Sequence, residues 1–279
     1  MRFTKCHGAG NDFVVVDARS LERPWAELTK RMCDRHLGVG SDGIILIVTS
    51  QTAELRMRMF NPDGSEAEAC GNGLRCFVKY AVDHALVCST DFSVETHGGV
   101  RHVRAFVDPQ GRVTEAEVGM GAPHFEPDEI PARVIGYEAP VLNLELEVLD
   151  RAIPVSLVSM GNPHAVAFLT HGVPEYPLAH VGPAMEHHPM FPSRVNFEVA
   201  HVHGRHDVRA RVWERGAGET LACGSGACAI AVAAQLLDYC DPVVHIHLPG
   251  GVLTVTWDGH SEVLLRGPIE QVFEGEWPD

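Results

Sequence analysis

The apolar positions change period several times along this chain, and each change marks an element. Phe13-Val14-Val15-Val16 and Ile44-Ile45-Leu46-Ile47 are short unbroken apolar runs of buried-strand type, separated by a helix-like stretch from Trp25 to Leu37. Leu55-Arg56-Met57-Arg58-Met59-Phe60 alternates with period two, the mark of a half-buried strand, and Asn61-Pro62-Asp63-Gly64 turns it. After Gly73 the alternation stops, and Leu74 to Val82 reads as a helix. The same order returns later: a strand through Val208 to Trp213, a glycine-containing turn, then a helix from Ala227 to Leu237 that is apolar nearly all the way round. A helix without a polar face must be wrapped on every side. The expected architecture is therefore α+β, with a mostly antiparallel sheet or barrel curled around one central helix, twice over.

The return is a duplication rather than a chance echo. Glu66-Ala67-Glu68-Ala69-Cys70-Gly71-Asn72-Gly73 reappears as Glu219-Thr220-Leu221-Ala222-Cys223-Gly224-Ser225-Gly226, 153 residues on. At that offset Arg56-x-Arg58-x-Phe60 matches Arg209-x-Arg211-x-Trp213, Gly8 matches Gly161, and Ala81 matches Ala234. With the offset one shorter, Gly98-Gly99-Val100 matches Gly250-Gly251-Val252. Two pseudo-symmetric domains are expected: residues 1–120 plus 267–279, carrying Cys70, and residues 121–266, carrying Cys223, with the active site in the cleft between them. Met120-Gly121-Ala122-Pro123 and Gly267-Pro268 are the expected crossovers. The Pro- and Glu-rich stretch from His124 to Pro140 reads as connecting structure without chemistry.

Composition narrows the function classes. A chain of 279 residues with 45% apolar and 21% charged content is ordinary for a globular protein of two domains. A formal charge of −15 argues against nucleic acid and anionic membranes as partners. No apolar run approaches membrane-span length and the N-terminus does not read as a signal peptide, so the cytoplasm is the expected compartment. The eight cysteines (6, 33, 70, 76, 88, 223, 228 and 240) include no Cys-x-x-Cys, and their spacing is poor for zinc, so no metal site is expected. Cys33, Cys76, Cys88, Cys228 and Cys240 read as small buried hydrophobes. His187-His188, His201-x-His203-x-x-His206 and His245-x-His247 read as solvated surface.

The two Cys-Gly-x-Gly segments carry the candidate chemistry. The first N–H groups of a helix lack internal partners and lie at the positive end of the macrodipole, so each segment can hold an anion. The same field is expected to lower the pKa of each cysteine. If the two helix starts face each other, a bound carboxylate would place its α-carbon between two sulfurs. One thiolate could then remove the α-proton while the opposite thiol protonates the other face, as a racemase or epimerase requires. Pyridoxal phosphate needs a Schiff-base lysine, and Lys5, Lys30 and Lys79 stand beside no recognisable phosphate loop, so no cofactor is expected. Carbanion stabilisation would come from preorganised N–H dipoles.

Along nearly its whole length the chain resembles the diaminopimelate epimerase family. The motifs are His7-Gly8-Ala9-Gly10-Asn11-Asp12-Phe13, Arg35-His36-Leu37-Gly38-Val39-Gly40-Ser41-Asp42-Gly43, Phe60-Asn61-Pro62-Asp63-Gly64-Ser65, Ala69-Cys70-Gly71-Asn72-Gly73, Ser159-Met160-Gly161-Asn162-Pro163-His164, and Glu214 to Thr220 through Cys223-Gly224-Ser225-Gly226. The resemblance implies interconversion of LL- and meso-diaminopimelate in lysine biosynthesis, with Cys70 and Cys223 as the acid/base pair. It implies that Gly71, Asn72, Gly224 and Ser225 hold the α-carboxylate, and that Asn11, Asn61, Asn162, Asn196, Glu214 and Arg215 line the substrate pocket. His164 and Glu214 would tune thiol protonation, and the amino-acid substrate would meet a homodimer. Relatives with glutamine at position 43 have a side chain there that Gly43 lacks, and Cys6 is expected to place an extra thiol near the site.

Each assignment has a plainer competitor. Asn61 and Asn162 lie in Asn-Pro turns, which favour asparagine for backbone reasons. Glu214-Arg215 could be a surface ion pair and His164 a satisfied core histidine. A proline or hydroxyproline racemase is the nearest rival, disfavoured because a cyclic monocarboxylate gives Asn61, Asn196 and Arg215 nothing to bind. An isomerase family of this fold lacks the cysteine pair. A thiol–disulfide redox protein would need an exposed low-pKa cysteine beside its partner, and a non-catalytic amino-acid-binding protein would not need the thiols. The pairs Asn72/Ser225 and Asn61/Glu214 break the repeat, so substrate selection is expected there.

Overall fold

The computed structural model describes residues 1–67 and 70–278. Glu68 and Ala69 of the first repeat copy, and Asp279, lie outside the described residues. The chain forms two compact units, Met1–Gly119 with Arg266–Asp279, and Met120–Leu265. Both are α+β. Among the described residues no helix is long and apolar enough to cross a membrane.

In the first unit, β1 (Arg2–Gly8) and β2 (Asn11–Asp17) form an antiparallel hairpin. The helix α1 (Trp25–Cys33) then leads to β3 (Ile44–Val48), parallel to β2. Antiparallel to β3 runs β4 (Leu55–Phe60), followed by the short β5 (Glu66–Ala67), the helix α2 (Gly71–Asp83), and β6 (Asp91–Thr96), parallel to β4. Antiparallel β7 (Gly99–Val107) and β8 (Val113–Gly119) follow. The C-terminal strand Glu270–Glu276 pairs with β1, and Ile269 N–H donates to Thr114 O of β8 at 3.0 Å. The sheet thus curls back toward its first edge, and α2 is buried against it through Leu74, Cys76, Phe77, Val78 and Ala81.

The second unit repeats the plan. After the hairpin β9 (Leu144–Val148) and β10 (Arg151–Ser159) comes β11 (Pro163–Phe168), antiparallel to β10. The helix α3 (Leu178–Glu186) leads to β12 (Asn196–Gly204), parallel to β11 as β3 is to β2. Then β13 (Asp207–Glu214), β14 (Gly218–Thr220), the helix α4 (Gly224–Leu236) and β15 (Val243–Leu248) reproduce β4, β5, α2 and β6, parallel pairing included. The strand β16 (Gly251–Thr256) closes the series antiparallel to β15. A matched ion pair ties each short strand to its neighbour. Arg58 grips Glu66 with two bonds of 2.8 Å, and Arg211 grips Glu219 with bonds of 2.7 and 3.0 Å. The helix α4 is buried from Gly226 through Ala234, as its apolar circumference requires.

Several local expectations are corrected. The first helix ends at Cys33 rather than Leu37, because the Asp34 carboxylate takes the N–H groups of His36 and Leu37 and turns the chain, leaving Leu37 88% exposed. Both central helices begin three residues early, at Gly71 and Gly224, since their glycines hide the helical period. Cys88 lies in the turn after α2 and is exposed rather than buried. The connector after His124 has no helix or strand, yet it contributes Ile130 and Ala132 to the second core and bridges His124 to Ser159.

Candidate active site

Each central helix starts from a cysteine in extended backbone, Cys70 at φ −140°, ψ 121° and Cys223 at φ −114°, ψ 118°. Both helices have 13 residues, so the repeat is conserved in geometry as well as in letters. The glycines that follow bring no Cβ of their own over the first N–H groups of each helix. The two sulfurs nevertheless meet different partners.

In the first unit the half-buried Cys70 donates its S–H to Asn11 Oδ1 at 3.7 Å. Asn72 Nδ2 donates to the same oxygen at 3.1 Å, and Arg75 Nη2 donates to Asn72 Oδ1 at 2.8 Å. The orientation of the Asn11 amide is set from its other end, where Nδ2 donates to Asp42 Oδ2 at 2.7 Å, because a carboxylate only accepts. Asp42 is held in turn by Arg35 at 2.7 Å, and Arg35 also bonds Asp12, which meets Lys5 at 2.5 Å. Burial works against ionisation of Asp12, but hydrogen bonds from Arg35 and Lys5 bring its carboxyl down to about 2. Asn61 sits in its expected turn and spends Nδ2 on Ser65 Oγ at 3.0 Å. At Gly43 this backbone has no room for a side chain: a Cβ there would lie 2.6 Å from Phe60 O.

In the second unit Cys223 is buried and its sulfur accepts the Gly226 N–H at 3.3 Å, with Ser225 Oγ at 3.5 Å. Asn162 reaches Ser225 Oγ through Nδ2 at 3.3 Å and His164 Nε2 through Oδ1 at 2.9 Å. His164 is wholly buried, and its Nδ1 lies 2.7 Å from Oε1 of an equally buried Glu198. Asn196 acts on the backbone, donating to Pro163 O and accepting the Arg215 N–H, both at 2.9 Å. Glu214 accepts from Thr220 Oγ1, and the exposed Arg215 donates to Ser193 O at 3.1 Å. The Glu214-Arg215 loop is steadied by the buried Glu186, which takes Trp213 Nε1 at 2.8 Å and Gly216 N–H at 2.9 Å.

The structure therefore groups Asn11, Cys70 and Asn72 at one helix start, with Asn61 committed to its own turn. It groups Asn162, His164, Cys223 and Ser225 at the other, with Asn196, Glu214 and Arg215 joined through the loop backbone. Glu198, Glu186, Asp42 and Arg75 were missed by sequence reasoning. Glu198 had a legible signal: at the 153-residue offset it replaces Ile45, as His164 replaces Asn11.

Electrostatics corrects one expectation. The thiol of Cys223 is pushed up, not down, first by burial and then by the negative charges of Glu214 and Glu198, against the donors Ser225 and Gly226. The helix-end field does not outweigh removal from water. Cys6 is corrected as well: burial raises it to about 12 and leaves it 1% exposed, so it offers no accessible extra thiol. Replacing Glu214 by glutamine removes a negative charge that raises Cys223, so the Cys223 pKa should fall. If Cys223 acts as a base, as the family resemblance implies, the acidic limb of the kcat/KM profile in that direction should move to lower pH; an unmoved or upward-shifted limb would contradict this coupling.

The two units define a class, a duplicated α+β fold with a sheet around a cysteine-capped helix in each copy. Solved structures share the fold. A phenazine biosynthesis protein of the PhzF family from Bacillus anthracis aligns over 100% of this chain and 99% of its own, with a TM-score of 0.69 at 19% identity. A probable proline racemase from Agrobacterium radiobacter K84, with bound carbonate, aligns over 99% and 92%, with a TM-score of 0.71 at 14% identity. Sequence similarity is more specific: the Diaminopimelate epimerase family model matches residues 3–126 and 156–272. The diaminopimelate epimerase of Moorella thermoacetica is 46% identical over 283 residues, covering 100% of this chain and 99% of that protein. The chain belongs to the diaminopimelate epimerase family.

Proposed function

We propose that this protein interconverts LL- and meso-diaminopimelate, with Cys70 and Cys223 as the two acid/base groups and no cofactor or metal. Residues 1–120 plus 267–279 would carry one base and residues 121–266 the other. The observation that carries this is the pair of equal helices, each opening on a cysteine in the same extended conformation, in a chain of this family.

One sulfur, as thiolate, takes the α-proton; the electron pair left on carbon delocalises into the carboxylate held by N–H groups of Gly71, Asn72, Gly224 and Ser225. The other sulfur, as thiol, delivers a proton to the opposite face, so thiol and thiolate have exchanged places and the stereocentre is inverted. Arg215, with its planar fork, suits the distal carboxylate, and Asn11, Asn61, Asn162, Asn196 and Glu214 would complete the pocket. His164 and Glu214 would tune the thiols. The lysines support independence from pyridoxal phosphate: Lys5 is buried against Asp12 and Gly40 O, Lys79 against Asp83 and Val113 O, and Lys30 pairs with Glu27. A homodimer working in the cytoplasm completes the proposal, on the strength of the family resemblance.

Purified protein given LL-diaminopimelate in deuterated water under reducing conditions should form meso product carrying deuterium at the inverted α-carbon. No deuterium and no meso product would remove the proposal.

A further inference from the structure

We propose that Glu198 is a positioning residue of the Cys223 half of the site. It holds the His164 ring so that Nε2 presents a hydrogen to Asn162, a polarity that passes through Asn162 and Ser225 and ends as a hydrogen donated to Cys223 Sγ. This rests on Cys223 being one of the two acid/base groups.

The chain of contacts is continuous, from Glu198 Oε1 to His164 Nδ1 at 2.7 Å, His164 Nε2 to Asn162 Oδ1 at 2.9 Å, Asn162 Nδ2 to Ser225 Oγ at 3.3 Å, and Ser225 Oγ to Cys223 Sγ at 3.5 Å. Donor and acceptor capacity sets its direction. An amide oxygen only accepts, so Nε2 must carry a hydrogen. The amide nitrogen only donates, so Ser225 Oγ accepts from it and keeps its own hydrogen available to the sulfur when that sulfur is a thiolate. Together with the Gly226 N–H, this gives Cys223 two donors, an environment suited to the charge it carries as thiolate.

The fold does not require a carboxylate at this place. In the first unit Ile45 stands at the equivalent offset, its Cδ1 3.2 Å from where a Gly73 side chain would begin; Glu198 Oε1 stands 3.0 Å from the corresponding point at Gly226. Asn11 likewise stands where the second unit has His164. A titratable pair has thus replaced an amide and an alkyl chain in one copy only. It is kept although Glu198 Oε2 is buried with no hydrogen-bond partner among the described residues, a costly arrangement that packing alone would not select.

The pair also provides a charge response. With a hydrogen on Nε2, the 2.7 Å contact needs a second hydrogen between Oε1 and Nδ1, and burial, which pushes the Glu198 carboxyl up, favours its place on Oε1. When the sulfur becomes anionic, that proton can pass from Oε1 to Nδ1. The O–H bond breaks as the N–H bond forms, Nε2 keeps its hydrogen, and positive charge moves toward Cys223.

Two measurements test this. With ring-15N-histidine protein, the His164 signals, identified by their loss in His164→Gln, should show Nε2 protonated at neutral pH. In Glu198→Leu, which leaves Nδ1 without its partner, those ring shifts should change, and kcat for LL-diaminopimelate should fall about ten- to a hundredfold with KM held within about threefold, the range seen when an orienting partner is lost. A wild-type Nε2 without hydrogen, as follows if the Asn162 amide is turned round, would overturn the proposal. So would a Glu198→Leu kcat within about twofold of wild type, or a loss expressed in KM alone. If the variant does not fold, the wild-type spectrum still decides. Inactive wild-type protein would sink the assigned activity and leave the ring measurement standing, so the two failures are distinguishable.

Discussion

Alanine at either Cys70 or Cys223 should abolish net epimerisation, with a loss of at least about 10³-fold, within the range general acid–base groups contribute. The physical reason is geometric. A single base returns a proton to the face it came from, so inversion needs a donor on the other side. Each variant should therefore keep a residual activity of a particular kind. Cys70→Ala retains Cys223 and should exchange the α-hydrogen of one diastereomer with deuterated solvent without forming the other; Cys223→Ala should do the same for the opposite diastereomer. Proton NMR of each substrate in deuterated water reads both quantities at once. Either variant converting LL to meso within about tenfold of wild type would exclude its cysteine as an essential base.

The second large effect concerns stability in alkali. Burial raises the thiols of Cys6 to about 12 and Cys240 to about 11 from an ordinary 9.0, and raises Cys33, Cys76 and Cys223 as well. With folded values above unfolded ones, the stabilising contribution is complete below the unfolded pKa. It is lost as pH rises, because the unfolded chain sheds thiol protons that the native chain keeps. Each such thiol costs about 1.4 kcal/mol per pH unit above about 9 until its native pKa is reached. Urea unfolding followed from about pH 8 to about pH 11 should show a steep fall in stability, and Cys6→Ala should fall less steeply. Parallel curves for the two proteins would rule out Cys6 as a contributor.

Much of this architecture was legible because it depends on local periodicity. The run Leu55 to Phe60 alternates and is a strand, and Ala227 to Leu236 is apolar all round and is a wrapped helix. The errors occurred where a side chain overrode the pattern. Asp34 ends the first helix four residues early, and Gly71-Asn72-Gly73, which reads as a turn, is the first turn of α2. Cys88 reads as core from its apolar sequence neighbourhood, yet the turn after α2 leaves it in solvent.

At the site, the two cysteines and most of the residues around them came from the repeat and the family motifs. Glu198 did not, because the repeat offset shows only that it replaces Ile45, and folding alone brings it onto His164 and Gly226. The family motifs imply Asn61 and Asn196 as pocket residues, and the structure adds the contacts each makes within its own unit. In the structure, Asn61 closes its own turn, while Asn196 ties Pro163 to Arg215.

The sequence by itself determined that there are two copies of one unit, that each presents a cysteine at the start of a central helix, and that the chain resembles one epimerase family. These follow from repeats, periods and motifs, which are properties of neighbouring residues. Only the tertiary structure decided how the two sulfurs differ. Cys70 donates its S–H to Asn11, whereas Cys223 accepts the Gly226 N–H and is raised by burial and by Glu214 and Glu198. The field of a helix end belongs to the local chain, but solvent exclusion and charges carried by β12 and β13 act through space, and at Cys223 they prevail.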